Sequence, residues 1–281
     1  MTADRQPAIL ITGCSSGIGY DAAQQIVKRG WRVLATCRQQ QDCDRLNAAG
    51  LESFTLDYAS EASVAAGAEE ALERCEGRID ALFNNGAFAT PGLVEDLPRD
   101  ALRHIFETNL FGQFQLINSL LPSMRTHGHG TIINNSSVLG LAAMPFRGAY
   151  VASKFAMEGL TDALRLELHE DPIHVVLIEP GPINTLIREK SIPHFERWID
   201  VAASAQRERY ERYLLPRLYK PQQKKDKYEL PPAAVTEIVW KAISSRAPAP
   251  RYYVTKPTWM AGIGKRLLST RAMDRIVLKR R

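Results

Sequence analysis

Three side chains in this sequence could together move a proton on and off a substrate oxygen. Tyr150 and Lys154 stand four positions apart in a helical pattern, so they share one face of a helix. An ammonium group held near a phenol favours the phenolate, which suits a general acid or base. Ser137 ends the run TIINNSS, where its hydroxyl could hold a carbonyl oxygen as charge develops. The structural alternatives are a surface tyrosine, a solvated lysine and a capping serine.

A glycine-rich turn near the start of the chain is suited to binding phosphate. The apolar run 8–12 leads into TGCSSGIG and then into a helical pattern. Glycines allow a tight turn and close approach of the backbone to a pyrophosphate, and a helix N-terminus offers free N–H groups. The spacing G-x-x-x-G-x-G differs from the common dinucleotide fingerprint, and a generic tight turn is the alternative. The predicted phosphate-binding residues of this turn are Gly13, Ser15, Ser16, Gly17, Ile18 and Gly19.

The end of the second apolar run bears on which nicotinamide dinucleotide would bind. An acidic residue about 20 positions after the turn would bind the ribose 2′-hydroxyl of NAD. Here the run ends in Arg38, whose guanidinium could pair with a 2′-phosphate, although it could also be a solvated surface residue. We therefore expect NADP(H) to be preferred, with NAD(H) possible. Asp57 could accept a hydrogen bond from the adenine amino group or cap a turn.

The elements that must position these residues alternate along the chain. Apolar runs at 8–12, 32–36, 53–56, 81–83, 131–134, 174–179 and 251–254 are separated by helical patterns at 17–29, 60–74, 99–126, 149–170 and 231–245. The runs are rich in β-branched residues and do not alternate with polar ones, which is typical of strands buried on both faces of a parallel sheet. The sequence predicts an α/β fold, a doubly wound parallel sheet of about seven strands with helices on both faces.

Composition excludes several classes of protein. The 281 residues are 45% hydrophobic and 24% charged, which rules out a disordered, collagen-like or disulfide-scaffold chain. A net charge of +5 suits an enzyme with an anionic ligand, and no nucleic-acid motif is visible. The four cysteines are scattered, without a CxxC pair or a neighbouring histidine cluster, so we expect reduced thiols and no metal site. With no signal-peptide or membrane-span pattern, a cytoplasmic location is expected.

Two segments depart from the strand–helix rhythm. Residues 183–230 mix aromatic and charged side chains, which fits either a substrate lid or ordinary helix packing. Within this segment, His194 could make a polar contact with a ligand, but it is expected on the surface. The tail, 256–281, places apolar residues among lysines and arginines. We expect it to pack on the sheet or on a sister subunit, with weak peripheral membrane contact as the alternative.

Six motifs, in order, carry a family resemblance. ITGCSSGIG, FNNGA, ETNLFG, INNSS, YVASK and EPGPINT, spanning residues 8 to about 190, resemble the short-chain dehydrogenase/reductase family. The likeness is greatest to the branch of 17-beta-hydroxysteroid dehydrogenases, retinol dehydrogenases and related bacterial aldehyde reductases. It implies one Rossmann-type oxidoreductase domain over residues 1–281, and a homodimer or homotetramer paired through the long helices 99–126 and 149–170.

The resemblance also implies roles for individual residues. The family's catalytic tetrad falls on Ser137, Tyr150, Lys154 and Asn109, and the spacing of the serine and tyrosine favours Ser137 over Ser136. Tyr150 would be the acid in reduction and the base in oxidation. Lys154 would bind the nicotinamide ribose and lower the tyrosine pKa, and Asn109 would hold a water of a proton relay.

Further cofactor contacts follow from the same resemblance. Asn85 would lie near the cofactor ribose and Thr185 near the nicotinamide amide. The rest of this implied set is Gly86, Pro180, Gly181 and Ile183. One departure concerns the family's NNAG motif, which here reads Asn84-Asn85-Gly86-Ala87, and we expect a local adjustment there.

Together these expectations describe an enzyme. It would interconvert an apolar alcohol and the corresponding aldehyde or ketone, possible substrates including a steroid, a retinoid, or an aliphatic or aromatic aldehyde. A 3-oxoacyl thioester reductase is the alternative within enzymes. A non-catalytic NADP-sensing protein is the alternative from another class.

Overall fold

A computed structural model describes residues 5–219 and 226–279. Residues 1–4 of the predicted domain, 220–225 of the predicted lid and 280–281 of the predicted tail lie outside the described residues.

Seven strands of the described chain form one parallel sheet in the order β3-β2-β1-β4-β5-β6-β7. The order reverses direction between β1 and β4, and ligands of such sheets bind outside the carboxyl ends of the strands at that point. The strands are β1 (Ala8–Thr12), β2 (Arg32–Cys37), β3 (Glu52–Thr55), β4 (Ala81–Asn84), β5 (Gly130–Asn135), β6 (Ile173–Glu179) and β7 (Arg251–Tyr253).

Helices cover both faces of the sheet. They are α1 (Gly17–Lys28), α2 (Gln40–Ala48), α3 (Glu61–Arg74), α4 (Arg99–Phe106), α5 (Gly112–Thr126), α6 (Gly148–Glu167), α7 (Ile187–Trp198), α8 (Arg207–Arg209), α9 (Leu215–Tyr219), α10 (Ala233–Ser244), α11 (Lys256–Leu267) and α12 (Thr270–Leu278). None of these described helices is both long and apolar enough to span a bilayer.

Strand β1 shows why the apolar runs do not alternate with polar residues. Leu10 packs into a core layer with α3 and α5, whereas Ile9 and Ile11 pack into a second layer with α1 and α10. Successive side chains of a strand point to opposite faces, so a strand covered on both faces must be apolar throughout. This arrangement confirms the predicted doubly wound α/β fold.

The structure corrects two helix assignments. Helix α2 had no counterpart in the helical patterns because its sequence, QQDCDRLNA, is mostly polar and buries only Cys43 and Leu46. The predicted helix 99–126 is interrupted, because a π-helical turn at Glu107–Phe111 separates α4 from α5.

At the start of α5, a Cβ on Gly112 would stand 2.2 Å from the Tyr58 carbonyl oxygen, so only glycine fits.

Candidate active site

The serine, tyrosine and lysine come together beyond the carboxyl end of β5. Ser137 follows β5 by two residues and caps a short 3-10 turn, its Oγ accepting from the Leu139 N–H at 3.1 Å. Tyr150 lies in the first turn of α6, and Lys154 follows one turn later. The Lys154 Nζ lies 5.7 Å from the Tyr150 ring centroid and donates to the Asn135 carbonyl at 2.8 Å.

Burial dominates the electrostatics of this group. It raises the pKa of Tyr150 to about 12, against the opposing effects of a hydrogen bond with Ser137 and of the nearby Arg147 cation. Burial also lowers the pKa of Lys154 to about 7, although the Glu158 carboxylate acts in the opposite direction. Without a bound ligand, Tyr150 therefore holds its proton at neutral pH.

The Asn109 side chain ties three elements together. It lies in the π-helical turn, fully buried, and its amide donates to the Phe88 carbonyl at 2.9 Å and to Ser153 Oγ at 3.1 Å. Its Oδ1 accepts from the Phe88 N–H at 3.1 Å. These contacts join the loop after β4 to α6. The implied water relay to Lys154 stays a prediction, because the amide makes its hydrogen bonds to Phe88 and Ser153.

The glycine-rich turn has a shape that only glycine permits. Gly13 and Gly17 have φ values of +68° and +61°. A Cβ on Gly19 would stand 2.5 Å from the Gly13 carbonyl oxygen. Ser16, at the N-cap of α1, makes no side-chain capping hydrogen bond, and no acidic residue lies in the first turn. The helix start therefore leaves backbone N–H groups available to an anion.

The shifted glycine of the NNGA motif has a local physical reason. A Cβ on Gly86 would stand 3.2 Å from the Tyr58 ring, and a Cβ on Gly13 would stand 2.7 Å from the Gly86 Cα. Tyr58 is itself fixed, because its hydroxyl donates to Asn84 Oδ1 at 2.5 Å and lies 2.9 Å from Thr12 Oγ1. The glycine is thus packed between the turn and a buried ring.

Asn85 links the turn to β5. Its amide donates to the Thr12 carbonyl at 2.9 Å, while its Oδ1 accepts from the Asn135 amide at 2.9 Å. The same Asn135 supplies the carbonyl that holds Lys154. Asn85 therefore connects the two halves of the site.

The loop after β6 reaches the glycine-rich turn. The Thr185 Cγ2 atom would stand 3.1 Å from a Cβ on Gly17. The Pro180 carbonyl accepts from Val138 N at 2.7 Å, and Ile183 packs on the same core layer as Ile18. A Cβ on Gly181 would stand 2.0 Å from Thr255 Oγ1, which excludes any larger residue there.

Arg38 and Asp57 lie at the ends of their strands. Arg38 is exposed just past β2, and among the described residues no carboxylate pairs with it. Asp57 Oδ1 accepts from the Ala59 N–H at 3.0 Å, so the turn-capping alternative is present. Arg45, which is outside the predicted set of site residues, donates to the Ser15 carbonyl at 2.7 Å. No motif marks it, because it lies on the unpredicted α2.

Part of the 183–230 segment packs over the site. Lys190 on α7 donates to Ser16 Oγ at 2.7 Å and to Ser15 Oγ at 3.2 Å. The expectation of a surface His194 is wrong: the ring is half-buried and stacks on Phe88, with centroids 4.0 Å apart. Burial first, and then neighbouring cations, lower the pKa of His194 to about 4, so the ring is neutral at pH 7.

Other aromatic residues of this segment serve packing. Phe195 and Tyr210 are buried in a cluster with Phe146, and the Tyr210 hydroxyl donates to Asp96 Oδ2 at 2.7 Å. Trp198 packs against this cluster and lies near His104. Its buried indole N–H has no partner among the described residues. Phe195 and Tyr210 thus pack inside the protein, α7 contacts the glycine-rich turn and Phe88, and the lid stays a prediction.

A partly buried arginine three residues before Tyr150 was also missed. Burial first, and then Arg188 and Arg217, lower the pKa of Arg147 to about 10. Arg147 is the N-cap residue of α6, and its cation in turn acts to lower the pKa of Tyr150. Within residues 5–219 and 226–279, no group of three His, Cys, Asp or Glu side chains could hold a metal ion.

Comparison with known proteins decides the family. Residues 7–194 match the family model described as short chain dehydrogenase. The chain belongs to the short-chain dehydrogenase/reductase family. Such enzymes are oxidoreductases acting on CH–OH groups, and the seven-stranded sheet is the fold of this family.

Individual relatives support the predicted branch. The chain is 38% identical over 273 residues to the uncharacterized oxidoreductase YbbO of Escherichia coli K12, covering 97% of this chain and 94% of that protein. It is 33% identical to human 17-beta-hydroxysteroid dehydrogenase type 1, covering 88% of this chain and 77% of that enzyme. A short-chain dehydrogenase/reductase from Burkholderia phymatum in complex with NAD is 25% identical, with a TM-score of 0.75 over 100% of this chain and 98% of that one.

Proposed function

We propose that this protein is an NADP(H)-dependent oxidoreductase that interconverts an apolar alcohol and the corresponding aldehyde or ketone, with Tyr150 as acid and base. One observation carries the proposal: Ser137, Tyr150 and Lys154 share one place beyond β5, where the Lys154 Nζ lies 5.7 Å from the Tyr150 ring centroid and the Ser137 hydroxyl acts to lower the pKa of Tyr150. A phenol with a hydroxyl and an ammonium beside it is equipped to exchange a proton with a substrate oxygen.

The residues around the glycine-rich turn fit a dinucleotide. The turn leaves no room for a Cβ at Gly13 or Gly19, and the start of α1 offers N–H groups without a capping side chain. Gly13, Ser15, Ser16, Gly17, Ile18 and Gly19 would hold the pyrophosphate. The nicotinamide half would lie along Asn85, Gly86, Tyr150, Lys154, Pro180, Gly181, Ile183 and Thr185. When bound, the cofactor supplies or accepts the hydride.

Each catalytic side chain then has a distinct task. Ser137 holds the substrate oxygen and, through its hydrogen bond, keeps the pKa of Tyr150 below the value that burial alone would set. Tyr150 gives its proton to that oxygen in reduction and takes it back in oxidation. Lys154, anchored on the Asn135 carbonyl, holds a positive charge near the phenol when protonated. Asn109 keeps α6 and the loop after β4 in register.

Arg38 supports the preference for NADP(H). It stands where the ribose 2′-group of a dinucleotide lies in sheets of this kind, and no described acid neutralises it. A free guanidinium can pair with a phosphate through two parallel hydrogen bonds. Asp57 remains a candidate contact for the adenine amino group, with its second carboxylate oxygen.

Helix α7 supports the lid proposal and the apolar substrate. The rings of His194 and Phe88 stack on each other, and Phe88 packs in turn with Tyr150 and Leu139. A neutral histidine and aromatic rings favour an apolar ligand, and the Trp198 N–H could donate to a polar group on it.

One observation favours the second candidate, a 3-oxoacyl thioester reductase. The Arg188 and Arg217 cations lie close enough to Arg147, three residues before Tyr150, to lower the pKa of Arg147. Three guanidinium groups would suit the acidic part of a carrier-linked substrate. The sensor hypothesis has no comparable observation in its favour.

Exposed apolar residues on the long helices support a homodimer or homotetramer. Leu102 and Phe111 on the α4–α5 stretch, and Leu160 and Leu166 on α6, are all exposed. Paired helices would bury these side chains across a two-fold axis.

The experiment is an NADPH oxidation assay at 340 nm with retinal, keto-steroids, medium-chain aldehydes, aromatic ketones and a 3-oxoacyl thioester, with NADH in parallel. We expect turnover of one apolar class with NADPH, and its loss in Tyr150→Phe with unchanged NADPH binding. Preferred turnover of the thioester, lost in Arg147→Gln, would favour the second candidate. Retained turnover in Tyr150→Phe would remove Tyr150 from its role.

A further inference from the structure

The last two helices leave a row of apolar side chains exposed. On α11, Trp259, Ile263 and Leu267 recur every four residues and are 55%, 49% and 78% exposed. Residues four apart share one face of a helix, so these three form a continuous stripe. Met260 beside them and Leu278 on α12 are about half exposed as well. We call the exposed sides of α11 and α12 the C-terminal surface.

The same surface is strongly basic. Residues 256–281 contain eight lysines and arginines but only one acid, Asp274, for a charge of +7, whereas the other 255 residues carry −2. The positive charge of the protein is therefore concentrated in its last 26 residues. The described and exposed cations of this surface are Lys256, Lys265, Arg266, Arg271, Arg275 and Lys279.

The described residues cover this stripe only in part: the Trp259 ring packs edge-on against Tyr253, and Ile263 and Leu267 stay 49% and 78% exposed. The opposite side of α11 is already packed: Thr258, Ala261 and Gly262 are buried, and a Cβ on Gly262 would stand 2.6 Å from the Tyr253 ring. Helix α12 contacts α11 through Met273, whose sulfur would stand 3.0 Å from a Cβ on Gly264. Among the described residues, α11 is thus packed on the protein through one side, while its apolar stripe faces outward.

Charge decides between the two obvious occupants. A second copy of the chain would bring the same cations against these cations, because a two-fold interface uses the same patch on both subunits. An anionic surface would instead neutralise them, and each basic residue near such a surface adds to binding. Exposed apolar residues flanked by lysines and arginines are the composition of helices that lie in a lipid interface.

We propose that the C-terminal surface docks on an anionic lipid bilayer. Trp259, Ile263 and Leu267 enter the boundary between headgroups and acyl chains, and the surrounding cations contact lipid phosphates and carboxylates. The protein lies on the membrane without crossing it.

The docked surface is joined to the active site. Thr255 and Thr258, at the start of α11, touch Gly181 in the loop after β6. The Lys265 ammonium lies 4.4 Å from the centroid of the Phe155 ring, and Phe155 follows Lys154 on α6. Docking would therefore place the site close to the bilayer, where apolar alcohols and aldehydes partition. The docking itself does not rest on the proposed catalytic activity.

The test is co-sedimentation of the full chain with vesicles of phosphatidylcholine alone or with about a third of phosphatidylserine. We expect pelleting only with the anionic vesicles, release by 0.5 M salt (roughly a threefold shorter screening length than at 0.05 M), and a blue shift of tryptophan emission on binding. Equal binding to both vesicles, or to neither, would overturn the proposal.

Variants separate the two parts of the surface. Arg266→Glu with Arg271→Glu and Arg275→Glu should weaken binding by about tenfold or more. Ile263→Ser with Leu267→Ser should weaken it and abolish the blue shift of Trp259. A matched control reverses three exposed cations elsewhere, Lys28→Glu, Arg99→Glu and Arg103→Glu, and should bind more tightly than the first variant.

Two readouts keep a negative result interpretable. Thermal melts establish that the variants remain folded, as expected for exposed positions. Sedimentation velocity establishes their assembly state. If Ile263→Ser with Leu267→Ser lowers the mass of the assembly and vesicle binding is absent, the stripe is a subunit contact and the proposal is wrong.

Discussion

The Lys190 ammonium on α7 lies 2.7 Å from the Ser16 hydroxyl oxygen in the glycine-rich turn, across 174 positions of sequence. A second hydrogen bond reaches Ser15. A cation at this place would also attract a pyrophosphate held by the turn, so α7 and the cofactor should stabilise each other's position.

We therefore expect Lys190→Ala to weaken NADPH binding by about three- to tenfold, which corresponds to the net free energy of one ordinary hydrogen bond. The measurement is NADPH affinity by fluorescence titration. Lys227→Ala is the matched control, because Lys227 lies in the same segment and contacts Tyr228 instead of the turn. Equal affinities in the two variants would contradict a role for Lys190.

Two adjacent serines provide a test of the site's geometry. The Ser137 hydroxyl acts to lower the pKa of Tyr150, whereas the buried Ser136 hydroxyl has no partner among the described residues. Ser137→Ala should lower kcat by about 100-fold, as for loss of a donor to a developing oxyanion. Ser136→Ala should stay within about twofold of the wild type.

The same serine variant should change the pH profile. Because the Ser137 hydrogen bond lowers the pKa of Tyr150, its loss should move the rise of alcohol oxidation to higher pH. Carbonyl reduction near pH 7 needs the protonated phenol, so its profile should not shift in that range. A profile identical to that of the wild type would remove the assigned hydrogen bond from the mechanism.

Substitution of Arg38 and of Arg45 should have different effects on the binding of NADPH and NADH. Arg38 is exposed and unpaired among the described residues, and its removal should raise the KM for NADPH by about tenfold while leaving that for NADH nearly unchanged. Arg45 supports the turn by donating to the Ser15 carbonyl, so Arg45→Ala should weaken both cofactors alike. Parallel losses in Arg38→Ala would show that it does not select the phosphate.

A buried carboxyl should make stability depend on pH. Glu179 is fully buried and shares Arg251 with Glu158 and Asp162. Burial first, and then Glu158, raise the pKa of Glu179 from 4.5 to about 8. Since the folded state then binds more protons than the unfolded state between these values, stability falls as pH rises through that window.

Glu179→Gln removes this titration. The free energy of unfolding of the variant, measured with urea, should increase relative to that of the wild type between pH 5 and 9, by up to about 4 kcal/mol. Glu170→Gln, at an exposed position, is the control and should show no such trend. A constant difference between Glu179→Gln and the wild type across this range would mean that the Glu179 pKa is ordinary.

The sequence predicted the sheet well because both of its faces are buried. A strand such as β1 must be apolar at every position, and such runs are visible without a structure. Helix α2 escaped because it buries only two residues, and the π-helical turn at Asn109 escaped because it keeps the helical spacing nearly intact. Helix boundaries that depend on hydrogen bonds cannot be predicted from the spacing of hydrophobic residues.

What the sequence by itself determined was the local chemistry: Tyr150 and Lys154 one helical turn apart, glycines at the head of α1, and Arg38 in place of an acid. Each of these depends on residue type and short spacing. Only the tertiary structure decided that Lys190 meets Ser16, that His194 is half-buried against Phe88, and that Gly86 packs against Tyr58. These contacts join residues far apart in the chain, and no local pattern encodes them because their geometry arises only when the helices pack onto the sheet.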